Sequence, residues 1–281
     1  NLSNNKNLDG HLLPGLQPNG VPRGLVGTTL PFDYNDINKL EQLIKDNNGE
    51  IAAIKMEVSR NEGPKDCFLQ KVRDIATENN IILIFDECTS GFRETLGGLH
   101  KKYKIEPDLA KALGNGYAIS VCIGRKEFMQ ATQQTFTSST FWTERIGPTA
   151  ALKTIEIMER ERSWEKVTKI GGDISNKWGQ LAGKYGLDIH RWGLPALSGY
   201  TFNSDNALAY KTLITQEMLK KGSLASNCTY VCIDHTQEVV NGYFQALDSI
   251  FSVIKDCEDG SRSVDSLLEG PICHSGFSRL N

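Results

Sequence analysis

The sequence predicts an α/β fold in which a mostly parallel sheet is followed by a smaller α+β domain. Two continuous apolar runs, residues 51–58 and 81–86, are typical of strands buried on both faces, as in parallel sheets. Between them, residues 66–79 carry apolar side chains at helical spacing. These three segments predict a βαβ unit. After about residue 150 the pattern changes to long helices and short strands, which predicts the second domain.

The other elements follow from the same periodicities and from turn residues. Helices are predicted at 35–47, 147–160, 163–183, 205–221 and 235–255, with a short one from residue 125. Further strands are predicted at 118–124, 187–190 and 197–203, and loops at 1–32 and 88–116. The residues after the last helix are predicted to be a tail. We therefore divide the chain into a domain of residues 1–155 and a domain of residues 156–281.

Composition excludes several classes of function. With 31 basic and 34 acidic residues the net charge is −3, so no broad basic surface is available for nucleic acid or a membrane surface. No apolar stretch approaches the ~20 residues that a membrane helix needs, and no secretory signal pattern is visible. The seven cysteines are scattered, and Cys122 lies in an apolar run. This usage favours a reduced cytoplasmic protein with buried thiols and predicts neither disulfides nor a metal centre.

Two acidic residues end the second apolar run. Ligands of parallel sheets collect beyond the carboxyl ends of the strands, so Asp86 and Glu87 should emerge where a ligand would bind. Asp86 has three possible roles: a structural cap of the next turn, an acid that holds Mg²⁺ in a nucleotide-binding module, or a cofactor-binding carboxylate. The second role requires a phosphate loop of the form GxxxxGK[ST], which the sequence does not contain.

Three motifs follow one another in a fixed order, and the first contains both acids: IFDECTSGFRETLGG, PDLAKALGNGYAIS and TSSTFWTERIGPTAALKT. The pattern extends over about 65 residues from Ile84 to Pro148. Together with IAAIKMEV, which ends near Glu57, the three motifs resemble the class III aminotransferases, most closely the glutamate-1-semialdehyde aminomutase branch. The resemblance covers most of residues 30–160. It implies a pyridoxal-5′-phosphate (PLP) enzyme of fold type I.

The resemblance assigns the two central roles to Lys111 and Asp86. Lys111 matches the lysine that binds PLP covalently, and a partly desolvated lysine near other cations becomes neutral and nucleophilic more readily. Once released by the substrate, its amine can move a proton between two carbons. Asp86 matches the carboxylate that keeps the ring nitrogen protonated, which strengthens the ring as an electron acceptor.

Other site residues are implied with alternatives open. Thr143 matches a residue that donates to the PLP phosphate from the neighbouring subunit, with Ser139 and Thr140 as alternatives. Gly116, with Gly114, permits either close approach to the cofactor or a tight turn.

Two charged residues near these motifs have open roles as well. Glu57 either contacts cofactor or substrate or orients a loop at the sheet edge. Arg93 either pairs with an acid near the cofactor or forms a structural salt bridge. The histidines at 100, 190 and 235 have no ligand spacing and are interpreted as structural or solvated.

The chain departs from the family pattern in two places. Family members usually have three more residues between PDL and the lysine, whereas only Ala110 separates Leu109 from Lys111 here. Residues 1–32 contain neither a small-residue phosphate loop at a helix N-terminus nor a ring-stacking aromatic residue, so we expect an N-terminally truncated chain.

We therefore predict a PLP-dependent aminotransferase or aminomutase acting on a small amino acid, amino aldehyde or amino sugar. It is expected to be a cytoplasmic homodimer with a shared active site. The alternative is a non-catalytic scaffold that keeps the fold without the cofactor.

Overall fold

The computed structural model describes residues 22, 24, 27–112, 117, 119–135 and 143–274. Within them, one sheet has the strand order β1 (Ala53–Glu57), β2 (Ile82–Asp86), β3 (Leu109–Ala112) and β4 (Val121–Gly124). The first three strands are parallel, and β4 runs antiparallel to β3. The predicted α/β class with a mostly parallel sheet is confirmed.

Two helices cover the apolar strands of this sheet. They are α1 (Ile37–Asp46) and α2 (Phe68–Glu78), and α1 begins where the Asp36 side chain accepts a hydrogen bond from Lys39 N. The stripe predicted for α2 is buried, with Phe68 and Val72 among its most covered residues. Because these side chains pack against alternate residues of β1 and β2, the crossover helix fixes the strand order.

A second core lies in the carboxyl-terminal part, among three long helices and a hairpin. The helices are α6 (Ser163–Tyr185), α7 (Ala207–Lys220) and α8 (Gln237–Glu258), and the hairpin is β5 (Ile189–Leu194) with β6 (Leu197–Phe202). Trp178, Tyr200 and Phe251 are fully buried there. The predicted change of architecture is confirmed, while the boundary between residues 155 and 156 stays a prediction.

Three further α-helices lie among the described residues. They are α3 (His100–Tyr103), α4 (Lys126–Gln130) and α5 (Ile146–Glu161). The predicted loop at 88–116 is wrong in its second half, since it contains α3 and β3. Four-residue elements are too short to show a periodicity. The predicted tail is wrong as well, because a 3₁₀ turn at Val264–Leu267 buries Val264 against the second core.

The prediction of buried thiols is wrong. All seven cysteines are free, but those at 67, 88, 122, 228 and 232 are exposed and the other two are half-buried. Cys122 illustrates the reason: it lies on β4, whose residues are all exposed. An apolar run predicts a strand, but it does not determine whether other parts of the protein pack on that strand and bury it. Among the described residues, no helix has the length and apolar character of a membrane span.

Candidate functional site

Three of the predicted site residues form one row across the sheet. Glu57 is the Cα partner of Asp86 across β1 and β2, and Asp86 is the Cα partner of Lys111 across β2 and β3. Neighbouring strands lie about 4.8 Å apart, so the row spans only about 10 Å. Residues far apart in sequence thus meet near the carboxyl ends of three parallel strands, where ligands of such sheets bind. For Lys111 the structure describes the backbone.

Asp86 is held by two described contacts. Its Oδ2 lies 3.0 Å from Lys55 Nζ, and its Oδ1 accepts a hydrogen bond from the backbone N–H of Cys88 at 3.2 Å. The Asp86 side chain is only 14% exposed, whereas that of Lys55 is 63% exposed. Lys55 was not singled out from the sequence. Its signal was a lysine inside the largely apolar run 51–58, on the same face of β1 as Glu57.

Glu57 has one satisfied and one unsatisfied carboxylate oxygen. Oε1 lies 3.4 Å from Arg60 Nη1, and the buried Oε2 has no hydrogen-bond partner among the described residues. Burial raises the pKa of Glu57, the Arg60 charge opposes this, and the neighbouring Asp86 raises it further. An unpaired buried acceptor is costly, so this oxygen is the place in the row where a ligand donor would be stabilised.

Glu87, the next residue after Asp86, ties down the loop that follows β2. Its Oε2 accepts hydrogen bonds from Leu99 N at 2.7 Å and from Ser90 Oγ at 2.9 Å. Its Oε1 lies 3.0 Å from His100 N and 2.7 Å from His100 Nδ1. Burial alone would raise the pKa of Glu87, but these hydrogen bonds hold it below its ordinary value. His100 is therefore structural, as predicted.

The adjacent glycines Gly97 and Gly98 of this loop lie close to the Glu87–His100 cluster. A Cβ on Gly98 would lie 2.3 Å from His100 Nδ1 and 2.9 Å from Glu87 Oε1, so any larger residue would displace the imidazole. Gly97 has φ +124°, which favours glycine. The GG of the motif therefore lets the loop close onto Glu87, directly behind Asp86.

Asp108, in the PDL motif, holds the start of β3 in place by hydrogen bonds, as Glu87 holds the loop after β2. Its Oδ2 accepts hydrogen bonds from Leu83 N at 2.8 Å and Arg73 Nη1 at 3.0 Å, and its Oδ1 from Arg125 Nη1 at 2.8 Å. Burial would raise the pKa of Asp108, but the bond from Leu83 and the two arginines lower it. The PDL motif was visible in the sequence. The role of its carboxylate, which joins β2, α2 and the start of α4, was not predicted.

The remaining predicted residues are only partly placed. Thr143 lies exposed in a turn shortly before α5. Gly114, Gly116, Ser139 and Thr140 lie outside the described residues. Arg93 forms neither of the ion pairs that the sequence suggested with any described residue; its Nε points to Thr89 O at 3.4 Å, a weak contact.

Comparison with known proteins identifies the family of the chain. The family model described as aminotransferase class-III matches residues 28–233. The chain belongs to the class III aminotransferase family.

Two curated relatives show the range of the family. The chain is 32% identical over 251 residues to a 3-aminobutyryl-CoA aminotransferase of Cloacimonas acidaminovorans, which covers 84% of this chain and 61% of the relative. It is 30% identical over 253 residues to a glutamate-1-semialdehyde 2,1-aminomutase of Methanococcus maripaludis, covering 82% and 59%. The chain thus spans about 60% of the length of these relatives.

Solved structures show the same fold. The PLP internal aldimine form of the FumI protein of Sphingopyxis sp. MTA144 superposes with a TM-score of 0.76 at 23% identity, over 88% of this chain and 61% of that one. A transaminase with PLP bound gives a TM-score of 0.78 at 18% identity, over 91% of this chain and 64% of that one. The predicted fold type I architecture is confirmed.

Proposed function

We propose that this chain forms part of a PLP-dependent enzyme that transfers an amino group between small molecules or within one molecule. The substrate is a small amino acid, amino aldehyde or amino sugar. Family membership supports the reaction class, since the relatives include both an aminotransferase and an aminomutase. The observation that carries the proposal is the in-register row of Glu57, Asp86 and Lys111.

The described residues fit the pyridine end of such a cofactor. Two of these residues, Asp86 and Glu57, carry carboxylates that accept hydrogen bonds, and Glu57 has a buried oxygen without a described partner. Lys111 follows on the neighbouring strand. This set of groups suits a small heteroaromatic cation. Asp86 would hold the ring nitrogen, Lys111 the carbonyl carbon, and Glu57 a hydrogen-bonding group of cofactor or substrate. Thr143 from a neighbouring subunit would hold the phosphate, and Gly116 would permit close approach of the backbone to the cofactor.

Asp86 and Lys111 would have different tasks in the reaction. When bound, PLP supplies an electron sink for the substrate carbon. Asp86 keeps a proton on the ring nitrogen, since a carboxylate close by stabilises the cation. The Lys111 amine would move a proton between the substrate carbon and the cofactor carbon, first as general base and then as general acid. Aminotransferase and aminomutase chemistry both need this step, so both assign the same tasks to Lys111 and Asp86.

One observation favours the alternative of a cofactor-free scaffold. Lys111 lies inside β3, paired with Asp86 on one side and with Cys122 on the other. Three additional residues in the PDL segment would carry the lysine about 10 Å further along the strand. The short spacing therefore places the Lys111 backbone level with Asp86 in the sheet, and Asp86 already pairs with Lys55.

We further propose a homodimer with a shared active site and a cytoplasmic location. Seven free cysteines suit a reducing compartment. The division into a PLP-binding part at 1–155 and a small domain at 156–281 belongs to the same proposal. It is supported by the presence of two hydrophobic cores, although Leu194 of β5 packs in the first core.

The proposal is tested by adding PLP to the purified protein and reducing with borohydride. We expect an absorbance band at the edge of the visible range and, after reduction, PLP fixed on the peptide that contains Lys111. Lys111→Ala should remove the band, and Asp86→Asn should weaken PLP binding while the label stays on Lys111. Exposed Lys65 provides the matched control, since Lys65→Ala should change neither. A label on Lys55 or elsewhere refutes the assignment. If a protein extended at its N-terminus to the length of its relatives also takes no specific label, the scaffold is favoured.

A further inference from the structure

A cavity of about 560 Å³ opens behind the loop that follows β2. Its walls come from that loop, from α5, from the start of α6 and from the segment 231–233. Most of the lining is apolar, and it includes Phe92, Met158, Val167, Val231 and Ile233. The volume falls within the range of small-molecule pockets, about 300–1,000 Å³.

Arg93 places a positive charge in this apolar lining. It is half-buried, and among the described residues no carboxylate lies within ion-pair distance of it. The described hydrogen bond of its guanidinium is the long contact from Nε to Thr89 O. Burial lowers the pKa of Arg93 and the Tyr230 phenol opposes this. A partly desolvated guanidinium without a counter-ion is unfavourable unless a ligand supplies one.

Glu87 also lines the cavity, but it is not the counter-ion of Arg93. Glu87 has a fully buried side chain whose oxygens accept hydrogen bonds from Ser90, Leu99 and His100. Its charge is therefore compensated inside the loop, and Arg93 remains available to an anion that enters the cavity.

We propose that this cavity binds an organic monocarboxylate with an apolar body, whose carboxylate pairs with Arg93 and whose body packs on Phe92, Met158 and Val231. Arginine and carboxylate form parallel hydrogen bonds that suit a planar anion. The apolar walls exclude a strongly hydrated dianion, which needs more donors than this lining offers. Carboxylate binding at Arg93 uses none of the three residues of the Glu57–Asp86–Lys111 row, so it goes beyond the proposed amino-group chemistry.

The cavity and the row share one turn. Cys88 lines the cavity, and its backbone N–H donates to Asp86 Oδ1 at 3.2 Å. An occupant therefore contacts the turn that orients Asp86, which gives the bound carboxylate a physical route to influence the candidate active site.

The test compares octanoate with octanamide, which has nearly the same shape and no charge, by isothermal titration calorimetry on the purified protein. We expect octanoate to bind and octanamide to bind about tenfold or more weakly. Arg93→Met should weaken octanoate about tenfold or more and leave octanamide unchanged, whereas Arg93→Lys should retain part of the preference. Arg160→Met is the matched control, because Arg160 is exposed on α5 and pairs with Glu161.

A second variant reduces the volume of the cavity and keeps the charge of Arg93. Ile233 lines the cavity and is 41% exposed, so Ile233→Trp should fill the cavity without unfolding the protein. It should abolish octanoate binding while circular dichroism stays unchanged. Equal affinity for octanoate and octanamide, an unaffected Arg93→Met variant or no octanoate binding to the unmodified protein would each overturn the proposal. None of these results depends on PLP, so they leave the proposed function to its own test.

Discussion

Lys55 Nζ lies 3.0 Å from Asp86 Oδ2, so a lysine of β1 pairs with the carboxylate that is proposed to hold the cofactor ring. The Lys55 side chain is 63% exposed, and such pairs contribute at most about 1 kcal/mol. The pair is therefore weak enough to be displaced by a ligand and strong enough to oppose it measurably.

Replacing this lysine should strengthen PLP binding. In Lys55→Met the ring nitrogen no longer competes with an ammonium for Asp86, so we expect the Kd for PLP to fall by about three- to fivefold, the equivalent of up to 1 kcal/mol. The measurement is an absorbance titration with PLP. Lys65→Met is the control, because Lys65 is similarly exposed and pairs with Glu62 at 2.8 Å. An unchanged or higher Kd in Lys55→Met would show that Lys55 does not compete.

Two adjacent glycines of α6 should respond in opposite directions to alanine. A Cβ on Gly171 would lie 1.8 Å from the carbonyl oxygen of Pro195, so Gly171→Ala should lower the free energy of unfolding by about 2–3 kcal/mol. Gly172 has nothing within 4 Å of its Cβ position, so Gly172→Ala should raise it by about 0.5–1 kcal/mol. Urea unfolding of both variants measures the difference. Equal effects would mean that α6 does not contact the β5–β6 turn this closely.

The carboxylate of Asp108 should be essential for stability. Asp108→Asn leaves Arg73 and Arg125 without their shared counter-ion, and we expect a loss of about 3 kcal/mol in the free energy of unfolding. Asp173→Asn removes a comparable pair with Lys169 on the exposed side of α6 and should cost at most about 0.5 kcal/mol. If the two variants lose the same amount by chemical denaturation, the Asp108 cluster does not join the strands as described.

Stability should fall on the acid side through two buried carboxylates. The pKa values of Glu87 and Asp108 lie below their ordinary values of 4.5 and 3.8 in the folded protein. Their stabilisation is therefore fully present above those ordinary values and is lost as the pH falls through the lower folded-state pKa values. Urea midpoints measured between neutral pH and pH ~3 should decrease, and Glu87→Gln should flatten the decrease. A variant with the same acid slope as the unmodified protein would rule out the contribution of Glu87.

Much of this fold is visible in the sequence because its signals are local. The runs at 51–58 and 81–86 and the stripe of α2 depend on side-chain periodicity within about a dozen residues. The same holds for Asp86, since a strand that ends in an acid can be recognised in isolation. By contrast, β3 has four residues, and its place in the sheet depends on pairing with β2 and on Asp108.

The sequence by itself determined the α/β class, the order of the long elements and the aminotransferase motifs, because periodicity and motif spacing are properties of neighbouring residues. Only the tertiary structure decided that Glu57, Asp86 and Lys111 share one row, that Lys55 pairs with Asp86 and that Arg93 faces a cavity without a described counter-ion. These relationships depend on strand register and on which surfaces pack together. Both are set by contacts between residues far apart in the chain, which no local pattern encodes.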